Sequence, residues 1–163
     1  MRRATQHTAS AAILAVGAEL SRRGYDVTFT LGNTRKVDML CSPPDGFPFK
    51  IQVKGISNPS AFYIDKSFFE GPTQGLLFLI VVLVPYVEDN PLRFFILSHA
   101  EAQGEFRKMR THKRDGQPYT SGFGLNWGSV ASYEKKWRTL PLSMLASGSP
   151  RRAFSDVWSL KFS

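Results

Sequence analysis

One cysteine, Cys41, stands in a chain of 163 residues. A single thiol excludes a disulfide framework and a cysteine zinc site, and a reducing, cytoplasmic compartment is expected. The three histidines, His7, His99 and His112, are far apart and show no metal-ligand spacing. They are expected at the surface or at helix ends. No glycine-rich phosphate loop is present, no Ser-His-Asp arrangement can be argued, and there is no internal repeat. The apolar run Leu76 to Val84 (LLFLIVVLV) has nine residues, far short of the ~20 that span a bilayer. It reads as a strand buried on both faces, and no membrane association is expected. Met1 to His7 lacks the apolar run of a signal peptide.

Acid is the scarcer charge. Thirteen Asp and Glu face 21 Lys and Arg, for a net charge of +8 and a pI of about 9.9. Residues 1–36 carry six basic side chains against two acids, residues 37–98 four against six, and residues 99–163 eleven against five. Basic flanks therefore bracket a slightly acidic centre. That distribution suits a polyanion bound near a metal; the bland alternative is a basic protein with no nucleic-acid role. Hydrophobic content of 42% is that of a globular chain, and the length suggests one domain. Its core is expected over about 9–110, with a C-terminal extension over about 111–163.

In order, Ala9 to Arg23 has Ala9, Ala12, Ile13, Val16 and Leu20 at helical spacing, with Gly24 as the residue past its end. Tyr25 to Leu31 alternates as a strand, and Gly32-Asn33 turns. After the hairpin described below, Gly55 to Ser60 reads as a loop and Ala61 to Ile64 as a short strand. Leu76 to Val84 is the central strand, and Leu92 to Leu97 follows it. Ser98-His99-Ala100-Glu101 has capping-box spacing and predicts a helix to about Arg110. Residues 111–128 read as a polar loop; Asn126 or Ser129 then caps a short helix through Tyr133 to Trp137. The tail holds Phe154, Trp158 and Phe162, which are expected to dock on the body.

Val37 to Gly55 organises the rest. Val37-Asp38-Met39-Leu40-Cys41 and Phe49-Lys50-Ile51-Gln52-Val53-Lys54 read as strands joined by Pro43-Pro44-Asp45-Gly46, where proline sets φ and glycine tolerates a positive one. Period two puts Ile51 and Val53 on one face and Lys50, Gln52 and Lys54 on the other. A hairpin folded about Asp45 sets Asp38 opposite Gln52, with opposed Cβ atoms roughly 5 Å apart. One carboxylate, one amide oxygen and one ammonium then share a rigid surface.

An Asp on one strand followed by (Asp/Glu/Gln)-x-Lys on the next resembles the signature of the PD-(D/E)XK nuclease superfamily. Asp38, Gln52 and Lys54 occupy its positions. Ala18 to Val27 resembles the helix-then-strand opening of that fold, and Leu31-Gly32-Asn33 precedes the Asp strand as in resolvase-like and homing-endonuclease-like members. The resemblance covers about residues 9–100, with a weaker segment at Tyr133 to Trp137. It implies an α/β, restriction-endonuclease-like core, a mixed central β-sheet flanked by helices. It also implies a metal-dependent DNA endonuclease using Mg²⁺ or Mn²⁺, acting on double-stranded or branched DNA.

In that reading Asp38, Gln52 Oε1 and the Val53 carbonyl are the metal ligands, while Lys54 orients water and offsets charge on the phosphate. The bland reading of Asp38 and Lys54 is a cross-strand salt bridge. Arg35, Lys36, Arg107, Lys108, Arg110, Lys113 and Arg114 are the candidate nucleic-acid contacts. Such nucleases often work as homodimers or larger homo-oligomers, with Phe62, Tyr63, Phe68 and Phe69 a candidate contact surface. One departure stands out. Many relatives with Gln at the variable position carry a Glu on the first helix, but Ala11-Ala12-Ile13-Leu14 offers no acid, and Glu19 reads as a solvated charge. The alternative is therefore a catalytically inactive nuclease-fold protein that binds nucleic acid. A third reading is a sheet face that contacts a protein partner.

Overall fold

Thr8, Ala12, Val16 and Leu20, each four residues apart, form the buried ridge of helix α1 (Thr5–Arg22). The ridge is rotated from the expected face. Ala9 is exposed and Ile13 only half-buried, while Thr8 is 5% exposed. Gly24 (φ 87°) ends α1: its N–H reaches Ser21 C=O at 3.0 Å, and Tyr25 N–H reaches Leu20 C=O at 3.1 Å. This paired closure needs the left-handed region that glycine enters freely. The computed structural model describes residues 5–30, 37–87, 89–109 and 124–142.

The chain then lays down β1 (Asp26–Phe29), β2 (Met39–Ser42) and β3 (Phe49–Ile56) as an antiparallel meander. Met39 faces Ile51, Leu40 faces Lys50 and Cys41 faces Phe49, the register expected from a fold about Asp45. Gly46 N–H closes the turn onto Pro43 C=O at 3.2 Å. Gly46 is not among the positive-φ residues, so the turn needs glycine for another reason: a Cβ there would run into the Pro43 ring.

From β3 the chain crosses over through β4 (Phe62–Tyr63) and α2 (Lys66–Phe69) to β5 (Leu77–Leu83), which pairs parallel to β3. β6 (Arg93–Ser98) returns antiparallel to β5. Among the described residues these strands form a mixed five-stranded sheet, ordered β1-β2-β3-β5-β6. Every residue of β5 is buried, as the apolar run implied. The middle strand is nevertheless β3, which extends through Gly55 and Ile56 where a loop was expected.

The capping box forms: Ser98 N–H donates to Glu101 Oε2 at 2.8 Å and Glu101 N–H to Ser98 Oγ at 3.2 Å, opening α3 (His99–Met109). The expected loop over 111–128 is partly structured. β7 (Gly124–Leu125) pairs with β4, and Asn126 caps α4 (Trp127–Val130) by accepting from Ser129 N–H at 2.8 Å. No helix continues through Tyr133 to Trp137. Two 3₁₀ turns, Ala131–Tyr133 and Trp137–Thr139, flank a segment anchored on the edge of β6. There Glu134 bridges Phe95, Lys135 (φ 55°) donates to Phe94 C=O at 2.8 Å, and Arg93 makes two bonds to Glu134. Backbone committed to a strand edge is unavailable for helical bonding.

The sheet separates two cores. On one face α1 packs over Met39, Cys41, Phe49, Ile51, Val53, Ile80 and Val82. On the other, Phe68, Phe69, Ala102, Phe106 and Val130 cover Ile56, Leu79, Val81, Phe95 and Leu97. Phe62, Phe68 and Phe69 belong to this second core at 8%, 1% and 7% exposure, so they are no contact surface; Tyr63 alone of that group is exposed. His99 stands at a helix end, as the first residue of α3, but not at the surface. It is buried, with Nε2 against Phe68 C=O at 2.6 Å and Nδ1 accepting from Gln74 N–H at 2.9 Å. Among the described residues no helix is long and apolar enough to cross a membrane.

Candidate active site

Asp38 sits one residue before β2, where the hairpin opens. Its N–H donates to Ile51 C=O at 2.8 Å and its C=O accepts from Thr30 N–H at 3.0 Å, which fixes the backbone from both sides. Beyond this point β3 loses its β2 backbone partner, and the Asp38 side chain takes that place. Val53 N–H donates to Asp38 Oδ2 at 2.7 Å, and Gln52 Nε2 donates to the same oxygen at 2.8 Å. A strand residue sends its N–H and C=O out on the same side, so the Val53 carbonyl also leaves toward Asp38. Asp38 Oδ1 and Gln52 Oε1 take no hydrogen bond among the described residues.

Lys54 follows two residues after Gln52 on the same face and is half-buried. The cross-strand salt bridge is not formed: the contact ion pairs among the described residues all lie elsewhere. The two charges act on each other from a greater separation. Burial pushes the Asp38 carboxyl above its ordinary value, against the pull of Val53 N–H and the Lys54 charge. Burial pushes Lys54 below its ordinary value, and the Asp38 charge partly restores it. Desolvation dominates at both groups.

Asp38, Gln52, Val53 and Lys54 form the floor of a cleft of about 220 Å³. One wall is the first half of α1, presenting Thr5, Ala9 and Ile13. The other wall is the crossover, with Tyr63, Asp65 and Phe68. Gly55 sets the gap between α1 and the floor. A Cβ there would lie 2.6 Å from Thr8 C=O and 2.9 Å from the Ala12 Cβ, so the helix rides directly on β3. This close approach places the half-exposed Ile13 and the exposed Ala9 beside the cleft rather than in the core.

The wall built by α1 carries no carboxylate. Glu19 is on a later turn, bonded by Arg22 at 2.9 Å and Arg23 at 2.8 Å, and its carboxyl is held below the ordinary value chiefly by the Arg22 hydrogen bond. It is an ion-paired surface acid, and it does not line the cleft. The carboxylate that the sequence reading missed is Asp65. Its Oδ1 caps α2 by accepting from Ser67 N–H at 2.9 Å. An Asp before Lys-Ser-Phe-Phe is a helix-start pattern, but the helix it opens is only four residues long.

Of the expected nucleic-acid contacts, Arg107 and Lys108 are exposed in the last turn of α3, away from the cleft lining. Lys108 pairs with Glu105 at 2.7 Å. Arg35, Lys36, Arg110, Lys113 and Arg114 lie outside the described residues, as do the Gly32-Asn33 turn and the tail aromatics Phe154, Trp158 and Phe162. Cys41 is buried in the α1 core and desolvation pushes its thiol up to about 12, so it packs as an un-ionised thiol. Among the described residues no group of three or more His, Cys, Asp or Glu is arranged around a metal. No protein-family model matches the chain, and no curated protein matches it significantly.

Proposed function

We propose that the chain is a metal-dependent DNA endonuclease with a restriction-endonuclease-like core, and that Asp38, Gln52, Val53 and Lys54 form its active site. The observation that carries this reading is the junction at Asp38. A half-buried carboxylate is held by Val53 N–H and the Gln52 amide, beside a half-buried lysine that does not neutralise it by contact. A salt bridge serving stability would close that separation. Here a carboxylate and an ammonium are kept desolvated and apart, an arrangement typical of functional sites.

The donor set fits a hard divalent ion. Asp38 Oδ1, Gln52 Oε1 and the Val53 carbonyl are oxygen donors on one surface, and Mg²⁺ needs few protein ligands because it keeps several waters. When bound, the ion would polarise the phosphate and lower the pKa of a water. The chain's own part is positional. Gln52 and Val53 orient the Asp38 carboxylate. Lys54, with its proton affinity reduced by burial, orients the attacking water and offsets charge on the phosphate oxygens. Hydrolysis forms the bond from water oxygen to phosphorus and breaks the bond to the leaving sugar oxygen, which takes up a proton. The basic segments on either side suit the DNA backbone. The order of helix, strand, Asp strand and Gln-x-Lys strand is the one the superfamily resemblance implies.

The test is nicking of supercoiled plasmid and of branched DNA with Mg²⁺ or Mn²⁺, for wild type, Asp38→Ala and Lys54→Ala. Metal-dependent cleavage by wild type that both variants lose is the expected result; cleavage retained in Lys54→Ala would refute the assigned site. One observation favours a second reading. The α1 wall of the cleft has no carboxylate, so the fold would serve to bind nucleic acid without cutting it. That reading expects DNA binding that falls steeply with salt and is indifferent to Mg²⁺.

A further inference from the structure

With Gln52 neutral, Asp38 is the floor's one acid, and Lys54 balances its charge. Magnesium sites that meet a phosphodiester commonly engage one or two carboxylates. The α1 wall offers Thr5, Ala9 and Ile13 instead. Among the described residues Asp65 is the other carboxylate lining the cleft, on the crossover side.

Its position is built. Asp65 follows β4 by two residues and opens α2, where Oδ1 accepts from Ser67 N–H at 2.9 Å. Phe68 and Phe69 bury α2 in the core at 1% and 7% exposure. His99 and Gln103 then clamp the residues after it. His99 Nε2 lies 2.6 Å from Phe68 C=O, and Gln103 Nε2 donates to Phe69 C=O at 3.0 Å. A carboxylate on so fixed a turn is held in the cleft lining without a search through rotamers.

We infer that Asp65 is the second anionic group of this site, acting on the divalent ion from the crossover wall, directly or through its water shell, in place of an acid on the first helix. The inference rests on the endonuclease reading and deepens it. Carboxylates one shell out orient metal-bound water by accepting its hydrogen bonds, and losing such a group commonly costs about 10–100-fold in affinity. Asp65 is a positioning residue in that sense.

The experiment measures Mn²⁺ binding by the full chain, by electron paramagnetic resonance of free Mn²⁺, with and without a phosphorothioate duplex that resists cleavage. Asp65→Asn is the main variant because Asn caps a helix as well as Asp does; Asp65→Ser also keeps a capping oxygen. Both are expected to bind Mn²⁺ at least about tenfold more weakly, with an unchanged melting temperature and reduced cleavage. Wild-type Mn²⁺ affinity in both variants, with binding lost in Asp38→Asn, would overturn the role of Asp65 and leave the endonuclease reading standing. Absence of Mn²⁺ binding by wild type, with and without the duplex, would overturn both.

Discussion

Gly55→Ala tests how the cleft is held open, and its cost follows from the structure. Gly55 has no positive φ, so alanine fits its backbone and would restrict the unfolded chain, a gain of about 0.4–1 kcal/mol taken alone. Against that, the new Cβ lies 2.6 Å from Thr8 C=O and 2.9 Å from the Ala12 Cβ. Neither obstacle is a flexible side-chain tip, so α1 must lift as a body. Overpacking of this kind costs about 1–3 kcal/mol. The expected net effect is a loss of about 1–2 kcal/mol, or about 2–8 °C in melting temperature for a chain of this size. Urea and thermal unfolding read it. Ala12→Gly removes one of the two obstacles, so the double variant should recover part of the loss after the helix-propensity cost of Ala12→Gly is subtracted. The coupling should be about 0.5 kcal/mol or more. The lift also widens the cleft beside Lys54, so cleavage should fall more than stability explains. A Gly55→Ala protein more stable than wild type, with no coupling to residue 12, would refute the direct seating of α1 on β3.

Two further substitutions probe the charges on the floor. Asp38→Asn should remove cleavage yet raise stability at neutral pH. The native carboxyl titrates above its ordinary value, so its ionised form costs the native state; that cost fades as pH falls through the raised native value and is gone below the unfolded value of roughly 4. Wild type and variant melting curves should thus converge in acid, and a variant less stable at pH 7 would contradict the burial argument. Gln52→Glu sets a second carboxylate within hydrogen-bond distance of Asp38, so one proton should be held between the pair to higher pH and Mn²⁺ should bind more tightly once it leaves. A metal titration unchanged across that pH range would remove Gln52 from the ligand set.

The floor of the site was legible because strand period and turn position are local rules. Asp38 and Gln52 met as expected, with Lys54 on the same face but out of contact, once Pro43 to Gly46 fixed the turn and the apolar alternation of Phe49, Ile51 and Val53 fixed the faces. The walls were not legible. Which side of α1 meets the cleft depends on how close the helix comes to β3, and Gly55, read in sequence as the start of a loop, decides that. Thr8, polar by type, joins the buried ridge because it passes over a residue with no side chain. Asp65 and His99 escaped for a related reason. His99 holds backbone groups distant in sequence, on Phe68 and Gln74, which no spacing records; Asp65 caps locally, on Ser67 N–H, but its place beside the cleft is set by the crossover.

The amide at position 52 then takes on a physical meaning. An acid there would lie within hydrogen-bond range of Asp38, and two carboxylates so close cannot both ionise without a cation between them. Glutamine reverses the relation in the metal-free protein: its NH₂ donates to Asp38 Oδ2 and joins Val53 N–H in holding the half-buried charge. The same side chain leaves Oε1 as a neutral donor. The floor is therefore stable with one acid and one lysine, at the expense of charge for a divalent ion. Tight loading must draw on a further anion. In the proposed site Asp65 would supply one from the crossover side, and a DNA phosphate the next. If the proposed endonuclease reading holds, ion and DNA would bind together, each strengthening the other, and Mn²⁺ affinity should rise when a duplex is present.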